Sequence, residues 1–408
     1  MLMERLSFAI AATTKAAPRS SSETRNATVC ENRTDDKKKA TVHAASESGL
    51  MSDRDDTGKA KMRILIVKRD KLGDMLLTTP LIAHLRRSIP GAEVSVLASE
   101  YCGWVVRDCP DIARLWTYPR LRALSVLKPA EFFRYWAAYR DVRKMRFDAA
   151  IAAGGEYSPR AVEKALAARA ARTIAYAPSE HRFGPRLTDP VDPPAGGHEM
   201  DRMLALAAPL GVAAPKEPIA PEYRLPGEAR AFAERWLSER GLAAGRYIVV
   251  GLGARRGSRQ PSTEQILRWT ARWREEHGLK TVFMWTPGRG SRLYPGDDAI
   301  AEPVLAQKRP EIHPYRGPIP ESLGLIWRAA TSLFPDSGLM HFAAASPGGV
   351  LGLFAGSPLA PEQWAPRGPR ARWLRSPTAV PQLGDEAVLG EIAGLLIAGS
   401  FRARAAAR

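Results

Sequence analysis

The sequence predicts an α/β protein of two parallel-sheet halves facing a central cleft, and three observations carry that expectation. From Met62 onward, apolar strand-like runs alternate with helix-periodic segments, the pattern of βαβ units. The alternation stops at a Pro- and Ala-rich stretch, residues 212–227, and then begins again, so the pattern occurs twice, about a linker. In each half a polar turn stands where an apolar run hands over to a helix, the edge at which open α/β sheets collect ligands.

In the first half, Ile64-Leu65-Ile66-Val67 is an unbroken apolar run, as expected of a strand covered on both faces. A polar stretch follows, and Met75, Leu76, Leu77, Leu81, Ile82, Leu85 and Ile89 then recur at helical spacing, predicting a helix with one buried stripe. "EVSVLA" and "AAIAA" are the next strands. Asp74 falls between the first strand and its helix. It serves there either as a cap or first-turn acid or as a carboxylate presented to the cleft; the residues leave both open. Further on, "RLRALSVLKPAEFFRYWAAYRDVRKMRF" interleaves basic residues with Phe132, Phe133, Tyr135, Trp136 and Tyr139. Such a helix suits an anionic membrane surface, but the aromatics also suit a core face, the reading preferred here.

After the linker, "RYIVVGLGA" is a buried strand ending in Gly251 and Gly253, and "TVFMW", "TSLF" and "GVLGLF" supply further strands. Ser262 with Gln265 three residues on forms a capping-box pattern opening a helix. The chain thus reads as two Rossmann-like halves. In "LFPDSGLMHFAAAS", Asp336, Ser337 and Gly338 make a tight turn before a helix, and His341 lies one helical turn after Ser337. A hydroxyl, a glycine and free helix N–H groups suit a diphosphate; a capping turn without ligand and a structural histidine explain the same residues. Arg255, Arg256 and Arg259 in "GLGARRGSRQPS" either neutralise a phosphate or form a solvated basic loop. The glycine spacing there is not that of a dinucleotide fingerprint.

The bulk properties narrow the partners. The formal net charge is +17, and residues 1–61 hold 11 basic and 9 acidic residues, leaving 49 against 34 in the rest, so the excess belongs to the folded part. Anionic partners follow: phosphate-bearing substrates or an acidic membrane face. No nucleic-acid-binding motif stands out, and no nucleic-acid partner is expected. Three scattered cysteines, Cys30, Cys102 and Cys109, suggest a reducing compartment. No apolar run approaches the roughly 20 residues of a membrane span. Residues 1–61, rich in Ser, Thr, Ala and Lys, are expected to be disordered. Their short apolar start, broken by Thr13-Thr14-Lys15, makes a poor secretory leader, and Met51 or Met62 is an alternative beginning.

With these residues in place, the chain resembles glycosyltransferase family 9, the lipopolysaccharide heptosyltransferases. "RILIVKRDKLGDMLLTTPLIAHLRRSIPGAEVSVLA" follows that family's N-terminal signature, and "FDAAIAAGG", "ARTIAY", "HEMDRMLALAAPLG", "PDSGLMHFAAA" and "GLFAGSPLAPEQWAPRG" fall in its order. The resemblance implies a GT-B fold and inverting, metal-independent transfer of heptose or a related sugar from a nucleotide-sugar donor, usually ADP-heptose, to an envelope glycan. It implies Asp74 as general base, Arg69, Lys71 and Gly73 on the acceptor side, and Arg259, Asp336, Ser337, Gly338, Leu339 and His341 on the donor side. It implies no metal site, with which the sequence agrees in having no Asp-x-Asp in a credible loop, and no cofactor is expected. Two departures leave donor identity open: Arg259-Gln260-Pro261 replaces the family's common Lys followed by Trp-Pro, and Arg289 stands where many members carry a ribose-contacting acid.

The expected organisation is a disordered extension over 1–61, an acceptor domain over 62–225, a donor domain over 226–400 and a basic tail over 401–408. The expected location is cytoplasmic, with peripheral contact at the cytoplasmic face of the inner membrane and an anionic glycolipid as acceptor. A nucleotide-sugar epimerase of the same fold and a non-catalytic glycan- or lipid-binding relative are the alternatives.

Overall fold

The computed structural model describes residues 61–69, 71–120, 129–254, 256–288, 296–357 and 359–406, with side chains as far as residue 398. The expectations for residues 1–60, Arg255 and Arg289 fall outside these.

Among the described residues, twelve strands form two six-stranded sheets. The first contains β1 (Arg63–Lys68), β2 (Glu93–Ser99), β3 (Arg114–Tyr118), β4 (Ala149–Ala152), β5 (Arg172–Tyr176) and β6 (Asp189–Val191), in the order β3-β2-β1-β4-β5-β6. The second contains β7 (Tyr247–Gly251), β8 (Lys280–Met284), β9 (Ile312–Tyr315), β10 (Thr331–Pro335), β11 (Val350–Ala355) and β12 (Ala371–Ser376), in the order β12-β11-β10-β7-β8-β9. Every pairing is parallel. Each half winds outward over three strands and then returns to lay its fourth beside its first. The switch points are therefore β1/β4 and β7/β10, where open α/β sheets form their ligand-binding crevice outside the carboxyl ends.

The apolar runs explain the layering. Strand side chains alternate between faces, so Ile64 and Ile66 enter one cluster while Leu65 and Val67 enter another with Tyr139, Val142 and Phe147. In β7 the same rule sends Ile248 and Val250 outward to Trp269 and Trp273, and Tyr247 and Val249 inward. The inward faces of both halves share one continuous cluster that also holds Met75, Phe334 and Phe342. Full burial of each such side chain contributes about 1.5–3 kcal/mol, so the halves meet through packed core as well as through a cleft.

Three local expectations are refined. The helix after β1 is two helices, Leu72–Leu76 and Thr79–Ser88. Pro80 has no N–H to continue the first, and the hydroxyls of Thr78 and Thr79 donate to the carbonyls of Asp74 and Leu76, both at 2.8 Å. The linker is irregular up to Pro226, as its prolines require, yet it is pinned at both sides. The N–H of Glu222 donates to Thr79 Oγ1 (3.0 Å), and the Tyr223 ring packs against Trp327 and Phe342. The last helix, Asp385–Ala406, runs past residue 400 into the segment expected as a basic tail. The capping box forms as expected: Ser262 Oγ accepts from the N–H of Gln265 and Gln265 Oε1 accepts from that of Ser262. Among the described residues no helix is long and apolar enough to cross a membrane.

Candidate active site

The helix Leu72–Leu76 begins directly outside the carboxyl end of β1, and Asp74 lies in its first turn. Lys71 stands at the N-cap position and makes no side-chain cap bond; Asp74 is thus a first-turn acid rather than a cap. Its carboxylate is partly exposed, with Lys71 Nζ 3.7 Å from Oδ2. Opposite, the helix Gly338–Ala345 begins outside the carboxyl end of β10. The two edges touch: a methyl group on Gly73 would sit 3.0 Å from the Cα of Gly338 and 3.4 Å from the His341 ring. A Cβ at residue 73 would make the facing backbone give by a few tenths of an ångström, so glycine suits this close approach.

Between the edges lies a cavity of about 790 Å³, within the usual size of a small-molecule site. Lys71, Gly73 and Asp74 line it from the first half, and Arg259, Asp336, Ser337, Gly338, Leu339 and His341 from the second. Arg69 is half-buried and is not part of the lining. Of the predicted arginine cluster, Arg259 reaches the cavity while Arg256 is exposed away from it. Gln260 is buried, its amide donating to the Leu252 carbonyl (2.9 Å) and to Asp297 Oδ1 (2.6 Å). Asp297 also accepts from the Thr286 N–H (2.8 Å), and Asp298 from Trp285 Nε1 (3.0 Å) and the Gly288 N–H (2.6 Å). The departure at residue 260 thus helps to fasten the 285–288 loop, part of the cavity wall.

The polar groups that line the cavity from the second half divide into paired and unpaired. Arg259 Nη1 donates to Asp336 Oδ2 at 2.6 Å. Burial nevertheless outweighs Arg259 and Lys71 and holds the Asp336 carboxyl above its ordinary range. Ser337 makes no cap bond to its own helix, so the capping-turn reading of this residue fails. Among the described residues, Ser337 Oγ and His341 Nδ1 are shielded from solvent and have no hydrogen-bond partner, an uncommon state for buried polar atoms and one that suits a ligand-facing role. Burial first, and then the nearby His198, drive the His341 pKa down to about 4, so the ring is neutral near pH 7.

Sequence reasoning missed two features. Tyr101, Trp285, Tyr315 and Trp364 give the cavity an aromatic wall; these residues come from separate loops, and no local spacing marks them. A polar clasp joins residues 197–201 of the first half to 362–367 of the second. His198 Nε2 donates to the Ala365 carbonyl (2.9 Å), and its Nδ1 accepts from the Met200 N–H (3.2 Å). Glu199 accepts from the Gly155 N–H (2.9 Å) and from the Gln363 amide (3.2 Å). Arg367 grips Asp201 through two 2.5 Å bonds. A Cβ at Gly155 would lie 2.2 Å from a Glu199 oxygen, so a larger residue there would force the carboxylate to shift.

Two predictions arise from this geometry. A double-mutant cycle on Asp201→Ala and Arg367→Ala, read by urea unfolding, should show coupling of only about 0.5–1 kcal/mol for so exposed a pair. Glu199→Ala, which strands a buried N–H and an amide, should cost about 1–3 kcal/mol; a smaller loss than the surface pair would contradict the clasp. The second concerns acid. Burial also pushes His198 down to about 4, while an unfolded histidine titrates near 6.5. Between these values the unfolded chain binds more protons, so stability is complete above about pH 6.5 and falls as pH drops toward 4, by up to about 3 kcal/mol per histidine. Urea midpoints should fall over that window, and less steeply in His341→Asn; parallel profiles would refute the assignment.

Two parallel sheets whose switch points face one cavity define the GT-B architecture. The family model for glycosyltransferase family 9 (heptosyltransferase) matches residues 135–392. The chain belongs to that family and is a glycosyltransferase. The matched span takes in the second-half residues that line the cavity and begins after Asp74. Lipopolysaccharide heptosyltransferase 3 of Escherichia coli is 24% identical over 294 residues, covering 69% of this chain and 80% of that protein. The crystal structure of a glycosyltransferase family 9 protein from Veillonella parvula superposes with a TM-score of 0.68 at 19% identity, over 82% of this chain and 97% of the other. The E. coli ADP-heptose lipopolysaccharide heptosyltransferase II does so with a TM-score of 0.63 at 19% identity, over 83% and 100%. These two likenesses speak for the fold.

Proposed function

We propose that the protein transfers heptose from ADP-heptose to an anionic lipopolysaccharide-core glycan, with inversion and without a metal, at the cytoplasmic face of the inner membrane. The observation that carries this reading is a single cavity lined by Asp74 from one half and by the unpaired Ser337 and His341 from the other. The names of the relatives, a lipopolysaccharide heptosyltransferase and an ADP-heptose enzyme, supply the substrate classes.

In this mechanism the Asp74 carboxylate takes the proton of the acceptor hydroxyl. The freed oxygen bonds to the anomeric carbon as the bond from that carbon to the diphosphate breaks on the opposite face, which inverts the centre. The electron pair leaves with ADP. Its negative charge meets the N–H groups that open the helix Gly338–Ala345, the Ser337 hydroxyl and the Arg259 guanidinium, donors already held in place before reaction. Lys71, beside Asp74 and 6.0 Å from the Trp364 ring centroid, would engage acceptor phosphate, and the aromatic wall from Trp285 to Tyr315 would hold the nucleoside.

The test is incubation with ADP-heptose and a lipopolysaccharide-core acceptor in EDTA, with the product's mass and anomeric configuration read out. A heptosylated, inverted product is expected. Donor conversion without acceptor, dependence on added metal or a retained configuration would each overturn the corresponding part.

A further inference from the structure

We propose that the helix Pro129–Lys144 docks the protein on an anionic lipid bilayer with the mouth of the cleft turned toward the membrane. The inference deepens the proposed function and rests on a lipid-borne acceptor. It begins with a departure from the sequence reading, which assigned the helix's aromatic residues to the core. Tyr139 is buried, and Tyr135 packs inward against Tyr118. Phe132, Phe133 and Trp136 instead face solvent, with 48%, 70% and 46% of their surface exposed. Their rings contact one another edge to face, Phe132 with Phe133 at 6.4 Å and with Trp136 at 5.9 Å.

Positions 132, 136, 140 and 144 follow one helical ridge. Aromatic residues occupy its first half, and Arg140 and Lys144, 70% and 68% exposed, its second. Asp141 lies between the two cations, 3.6 and 3.4 Å from them, and offsets one charge. An aromatic cluster beside cations suits the boundary between acyl chains and anionic headgroups. A second copy of the chain suits it less, because a protein of net charge +17 would bring like charge to the same patch.

The surface is also joined to the cleft. Arg134, on the same helix, pairs with Glu100 at 3.2 Å. The next residue, Tyr101, is half exposed, lines the cavity and carries the Arg120 guanidinium 4.2 Å from its ring centroid. A bilayer resting on the aromatic cluster would therefore lie beside the entrance through which a lipid-borne glycan must pass.

Sedimentation with vesicles of phosphatidylcholine, with and without about 30% phosphatidylglycerol, tests the docking. Binding is expected only to the anionic vesicles and should weaken with salt. The Phe132→Ser/Phe133→Ser/Trp136→Ser variant, altered only at exposed positions, should keep its melting temperature and bind about tenfold less. Arg140→Gln/Lys144→Gln should lose most of the salt dependence. The aromatic variant should lose transfer to a vesicle-embedded acceptor and keep transfer to a deacylated, water-soluble one. Wild-type binding by the aromatic variant, or its conversion of a dimer to a monomer in analytical ultracentrifugation, would overturn the docking. Absent transfer to either acceptor in the wild type would instead count against the proposed function, with vesicle binding still readable.

Discussion

Asp74→Asn is expected to lower kcat by about 10²- to 10⁴-fold, the range for loss of a general base, with little change in donor affinity. The substitution keeps the side chain's shape and removes its ability to take a proton. It spares the local fold, since the hydrogen bond from Thr78 uses the backbone carbonyl of residue 74, and the side-chain contact with Lys71 is a partly exposed 3.7 Å pair. A pair of that kind contributes at most about 1 kcal/mol. Single-turnover kinetics with ADP-heptose, alongside calorimetric titration of ADP, separate chemistry from binding. A kcat within a factor of about three of the wild type would remove Asp74 from the mechanism.

Arg259→Ala is expected to act in two ways. It removes a cation that lines the cavity beside the proposed diphosphate position, which should lower kcat/KM by about 10²- to 10³-fold if charge on the leaving group is stabilised there. It also strands Asp336, a carboxyl already raised by burial and held 2.6 Å from Arg259, at a cost of about 1–3 kcal/mol. Arg259→Lys discriminates between the two effects. An ammonium keeps the charge and loses the planar fork, so activity should return to within about tenfold of wild type while part of the stability loss remains. Unchanged kcat/KM in Arg259→Ala, with only the melting temperature lowered, would assign Arg259 to holding Asp336 and leave the diphosphate to the helix N–H groups.

The parts of this architecture that were legible in advance share a physical cause. Ile64 to Val67 and Tyr247 to Val250 are unbroken apolar runs of strand length, the pattern of a strand covered on both faces; both proved to be central strands at the switch points. The turn at Asp336-Ser337-Gly338 was visible because polar, turn-forming residues between an apolar run and a helical pattern mark the point where the chain leaves a strand and enters a helix. The break at Thr78-Thr79-Pro80 carried its own signal in Pro80, which the long apolar periodicity from Met75 to Ile89 overrode. The clasp had none: Glu199 meets Gln363 and Asp201 meets Arg367 across more than 160 residues of chain, and neither segment shows by itself what it will face.

The sequence alone determined the alternation of strands and helices, its repetition about a Pro-rich linker, and the placing of Asp74 and Ser337 at two strand-to-helix edges. Those follow from local chemistry: side-chain period, backbone constraint and turn preference act over a few residues. Tertiary structure decided that the two edges meet across one cavity, that Arg259 is held by Asp336, that Ser337 caps nothing, and that Phe132, Phe133 and Trp136 stay uncovered. Periodicity can say which residues share a face. What covers that face depends on contacts between distant segments, which exist only once the chain has folded.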